Sequence, residues 1–134
     1  MAVQKHEVVP IESSSDIVLI RQKVRGWATE LRFTLVDQTK MITAASELAR
    51  NTLEHGGGGK VLFEAISNGT RNGLRLTFED QGPGIPDIEQ ALRDGFTTKN
   101  GLGLGLSGSR RLVNEFEIAS KVGAGTKIVV TRWK

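Results

Sequence analysis

The sequence contains no cysteine, so it offers no disulfide framework, no thiolate metal site and no thiol nucleophile. No apolar run approaches the roughly 18 residues of a membrane span. The opening Met1-Ala-Val-Gln-Lys-His-Glu7 lacks the apolar core of a signal peptide. These absences predict a soluble, cytoplasmic protein. A basic stripe is missing as well. The net charge is +3, but the lysines and arginines are scattered among acids, and only Arg110-Arg111 stand together. Neither nucleic acid nor a membrane is therefore an expected partner. No repeat or linker divides the 134 residues, which read as one domain, 1–134. Three phosphate-handling signatures are also absent: Gly-x4-Gly-Lys-Ser/Thr, His-Arg-Asp and Asp-Phe-Gly. A P-loop and the eukaryotic protein-kinase set are excluded with them.

Hydrophobic residues make up 38% and charged residues 25%, enough for one soluble core. Residues 3 to 12 read as a strand, with Pro10 favouring a sheet edge because proline has no amide to donate. Ser13-Ser14-Ser15-Asp16 offers helix caps, and Ile17, Ile20, Val24, Trp27, Ala28 and Leu31 follow at helical spacing over 16 to 31. Thr34 with Asp37 resembles a capping box opening a second helix over about 35 to 55. Its buried stripe is Met41, Ala44, Ala45, Leu48 and Thr52, and it stops at Gly56-Gly57-Gly58-Gly59. The period then changes to two over 61–66 and 74–78, around the turn-rich 68–73, which predicts a hairpin. Pro86-Asp87 starts a short helix over 87 to 93. Residues 94 to 105 are too irregular for an element. Leu106, Leu112, Val113 and Phe116 restore helical spacing, and a last hairpin forms from 117–122 and 127–133 around Gly123-Ala-Gly125. The fold class is α/β (α+β): a two-layer sandwich with helices on one face of a mixed, mostly antiparallel sheet.

Three segments carry chemistry. Glu47 and Asn51 lie four apart on one helix face. An acid and an amide so placed suit a hydroxyl proton acceptor and a ligand for a hard cation such as Mg²⁺; the same pair also reads as two solvated residues. Asp80-Gln-Gly82-Pro-Gly84 ends a strand and turns sharply. The glycines let a flat ring approach the backbone, and the Asp80 carboxylate suits the exocyclic amine of adenine, although an ordinary Asp-Gly-Pro turn has the same wording. Gly101-Leu102-Gly103-Leu104-Gly105 exposes successive amides and feeds a helix N-terminus, which favours phosphate, with Lys99 as a candidate cation. The spacing Gly103-x-Gly105-x-x-Gly108 mimics a dinucleotide fingerprint, but no strand precedes it. Thr126, in the last hairpin, reaches a purine if its strand lies beside Asp80. His6 and His55 read as surface or helix-end residues.

Glu47-x3-Asn51, Asp80-x-Gly82-x-Gly84, Gly101-x-Gly103-x-Gly105 and Gly125-Thr126, in that order, resemble the N, G1 and G2 boxes and terminal Gly-Thr of the GHKL ATPase/kinase superfamily. Gyrase, Hsp90, histidine kinases and MutL are among its members. Within it, Ser46-Glu-Leu-Ala-Arg-Asn51, Glu79-Asp-Gln-Gly-Pro-Gly-Ile-Pro-Asp87 and Asp94-Gly-Phe-Thr-Thr98 are similar to the stand-alone anti-sigma-factor-type serine/threonine kinases, above all the stressosome switch kinases of the RsbT type. The resemblance implies a Bergerat fold that binds ATP and Mg²⁺. It implies Asp80 on adenine with Gly82, Gly84 and Ile85 beside it, Asn51 on Mg²⁺, Glu47 as general base, and a mobile ATP lid from Lys99 to Gly105. It also implies phosphorylation of a STAS-domain scaffold or antagonist protein, and release of the kinase to a PP2C-type phosphatase or another output protein. The alternatives are an anti-sigma factor of the same fold, a non-catalytic, nucleotide-gated binding module, against which Glu47 argues, and a histidine-kinase catalytic domain acting in trans.

Overall fold

The computed structural model describes residues 1–93 and 106–134. Five strands form one sheet: β1 (Ala2–Ile11), β2 (Gly59–Ser67), β3 (Asn72–Asp80), β4 (Glu115–Lys121) and β5 (Gly125–Trp133). Their spatial order is β1-β2-β3-β5-β4, and each neighbouring pair runs antiparallel. The expected mixed sheet is thus antiparallel throughout the described residues. Pro10 lies in the edge strand β1, as its missing amide requires.

The helices are α1 (Ser14–Glu30), α2 (Leu35–Glu54), the single turn α3 (Ile88–Ala91) and α4 (Leu106–Arg111). The Asp16 carboxylate accepts from the amides of Glu12 and Ser13 at 2.8 and 3.2 Å, satisfying donors at the start of α1. Thr34 Oγ1 accepts from the Asp37 amide at 3.1 Å and starts α2 in the same way. Asp37 then reaches Arg132 of β5 at 2.6 Å, and the same guanidinium donates to the Leu112 carbonyl at 2.8 Å. One arginine therefore ties the first turn of α2 to the end of α4.

The core lies between the helices and one face of the sheet. Its strand residues share one pleat parity: Val9 and Ile11, Val61 and Phe63, Leu74 and Leu76, Ile128 and Val130. Alternation along a strand sends each intervening residue to the other face. From the helices come Ile20, Val24, Trp27, Met41, Ala45 and Leu48, all buried. Trp27 and Phe63 meet at 5.4 Å between ring centroids, and Lys5 Nζ sits 4.4 Å from the Trp27 ring.

One element is shorter than its spacing predicts. The helix expected to run through Phe116 ends at Arg111, and Phe116 belongs to β4. Phe116 and Ile118 pack on the core from a strand whose exposed and half-buried residues alternate. Phe116 stands four places after Leu112 and three after Val113, which is helical spacing, and two before Ile118, which is strand spacing. Asn114 decides between them: its amide donates to the Thr131 carbonyl, and its side chain accepts from the Trp133 amide at 2.7 Å, so the chain is already paired with β5.

Candidate active site

The C-terminal end of α2 meets the end of β3. The helix closes with the amides of His55 and Gly56 both donating to the Asn51 carbonyl, and that of Gly58 to the Thr52 carbonyl. This cap lays Gly56 against Asp80. A Cβ on Gly56 would stand 2.5 Å from the Asp80 Cβ and 2.6 Å from Oδ2, well inside van der Waals contact. A Cβ on Gly82 would stand 2.7 Å from the Gly56 Cα. Asp80 is only 8% exposed, and its Oδ1 accepts from the Gly82 amide at 2.9 Å. The glycines here serve close approach: helix end, carboxylate and turn share a space that side chains would fill.

The rest of the turn rests on the last hairpin. Gly84 has φ 79°, and a Cβ there would collide with the Lys121 carbonyl. The Gly123 amide donates to the Pro83 carbonyl at 2.9 Å. The Ile85 amide donates to Ser120 Oγ at 2.7 Å, and Ser120 Oγ lies 2.7 Å from Thr126 Oγ1. Thr126 pairs with Asp80 across β3 and β5. A cavity forms here, lined by Asn51, His55, Asp80, Ile85, Leu106 and Thr126 over a floor of Thr52, Phe78 and Ile128. Its volume is ≈ 10 Å³, room for roughly one water. Leu106, 1% exposed, fills its wall from α4, so a purine enters only if the cavity widens. A larger open concavity of ≈ 380 Å³ lies at the same end of the sheet, lined in part by Glu79, Gln81, Lys121 and Lys127.

Of the residues singled out in the sequence, Asn51, Asp80, Ile85 and Thr126 come together in the cavity. Gly82 and Gly84 shape its rim. Glu47 lies half-buried one turn before Asn51 on α2 and does not line the cavity. Lys99, Gly101, Leu102, Gly103, Leu104 and Gly105 lie outside the described residues.

Two residues of the site were missed. His55, read as a surface or helix-end residue, places Nε2 3.3 Å from the Gly84 carbonyl and joins α2 to the turn. The signal was present: Glu47, Asn51 and His55 continue one face at intervals of four. Ser120 has only a weak signal, a hydroxyl at the inward parity of β4 after Phe116 and Ile118. Its role depends on Ile85 being brought to it from 35 positions away.

The donor set bears on any metal. Among the described residues no three His, Cys, Asp or Glu side chains cluster to hold an ion. One amide, that of Asn51, lines the cavity. A single oxygen ligand fits Mg²⁺, which keeps most of its shell as water and substrate phosphate.

A family model described as "Histidine kinase-, DNA gyrase B-, and HSP90-like ATPase" matches residues 36–134. The chain is 46% identical over 125 residues to the serine/threonine-protein kinase RsbT of Bacillus subtilis, covering 93% of this chain and 94% of that one. It is 30% identical over 128 residues to the anti-sigma F factor of a Thermoanaerobacter species, covering 92% and 89%. Among solved structures, the RsbU and RsbW domains of a Mycobacterium tuberculosis protein superpose with a TM-score of 0.64 at 22% identity, over 96% of this chain and 31% of the other. The catalytic domain of the histidine kinase ThkA gives 0.58 at 17%, over 98% and 95%. These two likenesses concern the fold.

Proposed function

Because the chain belongs to the histidine kinase-, DNA gyrase B- and HSP90-like ATPase family, we propose that it is a protein serine/threonine kinase using Mg²⁺ and ATP. The observation that carries the proposal is the meeting of Asp80, Asn51 and Thr126 in one cavity at the junction of α2 with the sheet. Asp80 is the adenine contact. One of its oxygens is fixed by the Gly82 amide, which orients the carboxylate and leaves acceptor capacity for the exocyclic amine. Thr126 stands across the strand pair from it, with its hydroxyl positioned by Ser120. Asn51 is the Mg²⁺ ligand; the ion neutralises phosphate charge. Glu47 takes the proton of the acceptor hydroxyl, from a position about 6 Å along the helix from Asn51, set by the rise of one turn. Lys99 and the glycines 101, 103 and 105, with Leu102 and Leu104, form the lid over the phosphates.

The acceptor is a serine or threonine of a STAS-domain scaffold or antagonist. Phosphorylation releases the kinase to a PP2C-type phosphatase or another output protein in the cytoplasm. Support comes from the 46% identity to RsbT and from relatives named anti-sigma F factor. Transfer of radiolabelled phosphate from ATP to a STAS protein tests the reading. Glu47→Ala is expected to retain ATP binding and lose transfer, and Asn51→Ala to lose Mg²⁺-dependent binding. Wild-type phosphorylation by Glu47→Ala removes the base assignment; ATP binding without transfer to any STAS protein favours the non-catalytic module.

A further inference from the structure

Glycine follows asparagine at Asn68-Gly69, Asn72-Gly73 and Asn100-Gly101, the last outside the described residues. The first two stand four positions apart on the β2–β3 hairpin, yet the fold treats them in opposite ways. Asn68 and Gly69 are exposed in the turn. Gly69 has φ 94°, and open space surrounds the place of its missing Cβ. The Asn68 side chain folds over the backbone that follows it, as in an Asx turn. Its Oδ1 accepts from the Thr70 amide at 3.0 Å, the Thr70 hydroxyl at 3.0 Å and the Arg71 amide at 2.8 Å. Three donors exceed the two lone pairs of a neutral amide oxygen and suit one that becomes negative. The Gly69 amide donates to Ser67 Oγ at 3.2 Å, a solvent-exposed contact. Gly73 has none of this freedom. It is buried in β3, opposite Ile66 of β2 and Trp133 of β5. The Asn72 carbonyl accepts from the Lys134 amide at 2.8 Å, so the peptide joining Asn72 to Gly73 is held extended within the sheet.

We propose that Asn68 is a site of deamidation and that the turn itself promotes the reaction. The Gly69 amide loses its proton to hydroxide, and its nitrogen attacks Asn68 Cγ; glycine has no Cβ to block the approach. The carbonyl electrons move onto Oδ1, where the three donors meet the new charge. Hydrogen bonds to an anion are stronger than those to a neutral oxygen, so these donors favour the intermediate over the amide. Oδ1 then reforms the carbonyl, and Nδ2 leaves as ammonia with a proton from water. The product is a five-membered succinimide. Water opens that ring at either carbonyl. One opening gives aspartate at position 68. The other gives isoaspartate, in which the main chain runs through the side-chain carbon. The sum is one water consumed and one ammonia released, with no oxidant or reductant.

Either product lowers the net charge of +3 by one. Isoaspartate also adds a main-chain atom inside the turn that the Asn68 amide closes on the Arg71 carbonyl at 3.1 Å, which loosens this end of the hairpin. Asp80 ends the same strand, roughly 26 Å away by strand rise, so the nucleotide cavity is not altered.

Trypsin cuts after Lys60, Arg71 and Arg75, so Asn68 and Asn72 fall in separate peptides. The full chain is held at mildly alkaline pH, folded and in guanidinium chloride, and deamidation in each peptide is followed by mass spectrometry from an unincubated sample. In denaturant the two asparagines are expected to convert at similar rates. In the folded chain Asn68 is expected to convert at least as fast as in denaturant. It should also convert at least about tenfold faster than Asn72, whose glycine must first leave the sheet. Thr70→Ala, at an exposed position, removes one donor to Oδ1. It is expected to slow Asn68 about threefold to tenfold, the worth of one hydrogen bond, with an unchanged melting curve. Equal folded rates at the two asparagines overturn the proposal. So does slower conversion of Asn68 in the fold than in denaturant, because the turn then protects it, and so does a Thr70→Ala rate equal to wild type. No readout uses ATP, so failure here is separable from failure of the kinase assignment.

Discussion

Gly56→Ala places a methyl group where the Asp80 side chain already is. The new Cβ would lie 2.5 Å from the Asp80 Cβ and 2.6 Å from Oδ2. Comfortable separation is about 3.5–4.0 Å, so about 1 Å must be found. Rotating the carboxylate does not supply it, because the Asp80 Cβ is fixed by strand pairing to Gly59 on one side and Thr126 on the other. The end of α2 or the end of β3 must shift. Overpacking of this kind costs about 1–3 kcal/mol. The bond from the Gly82 amide to Asp80, charge-assisted at 2.9 Å, is strained by the same shift. Even ~1.4 kcal/mol of lost nucleotide contact is tenfold in affinity. Calorimetric titration with ATP is therefore expected to show at least a tenfold loss for Gly56→Ala. Gly57→Ala is the matched control. Its Cβ meets nothing within 4 Å, but φ is +75°, so it strains the backbone alone. It is expected to cost about 1–2 kcal/mol of stability and leave ATP affinity nearly unchanged. Wild-type affinity in Gly56→Ala, or an equal loss in both variants, would show that the Gly56–Asp80 contact does not organise the site.

Three further outcomes are expected. His55→Ala removes the contact with the Gly84 carbonyl and one wall of the cavity; ATP affinity should fall about threefold to tenfold by titration, the worth of one net hydrogen bond. Ser120→Ala leaves the Ile85 amide without its acceptor and should lower stability by about 1–3 kcal/mol in urea unfolding. Asp37 is held below the ordinary carboxylate value, first by its hydrogen bond from Arg132; burial opposes this, and the charge of that guanidinium adds to the lowering. A depressed folded value means the stabilisation is complete above the unfolded value of about 3.9 and is lost as pH falls through the folded value. Wild type should therefore lose urea resistance more steeply than Asp37→Asn below about pH 4, and parallel curves would count against the pair.

The sequence was most informative where structure is local. Thr34 and Asp37 mark the start of α2, four glycines end it, and a change of period marks the hairpin of β2 and β3; each depends on neighbours within a few residues. Pro10 announced an edge strand because a missing amide is a property of one residue. The order of Glu47, Asn51, Asp80 and Thr126 was legible for the same reason, as types at fixed spacings. The overlong helix through Phe116 arose where two periods fit the same residues and only pairing with β5 chose between them.

What tertiary structure alone decided lies between segments far apart in the chain. Nothing near Gly56 in sequence shows that it must be glycine for the sake of Asp80, and nothing near Ser120 shows that it holds Ile85. His55 is the helix-end residue that the sequence predicts, but its contact with the Gly84 carbonyl arises only when the turn is folded against it. Local propensity and spacing are written along the chain, whereas a site or a face is defined across it, by which strand ends beside which helix.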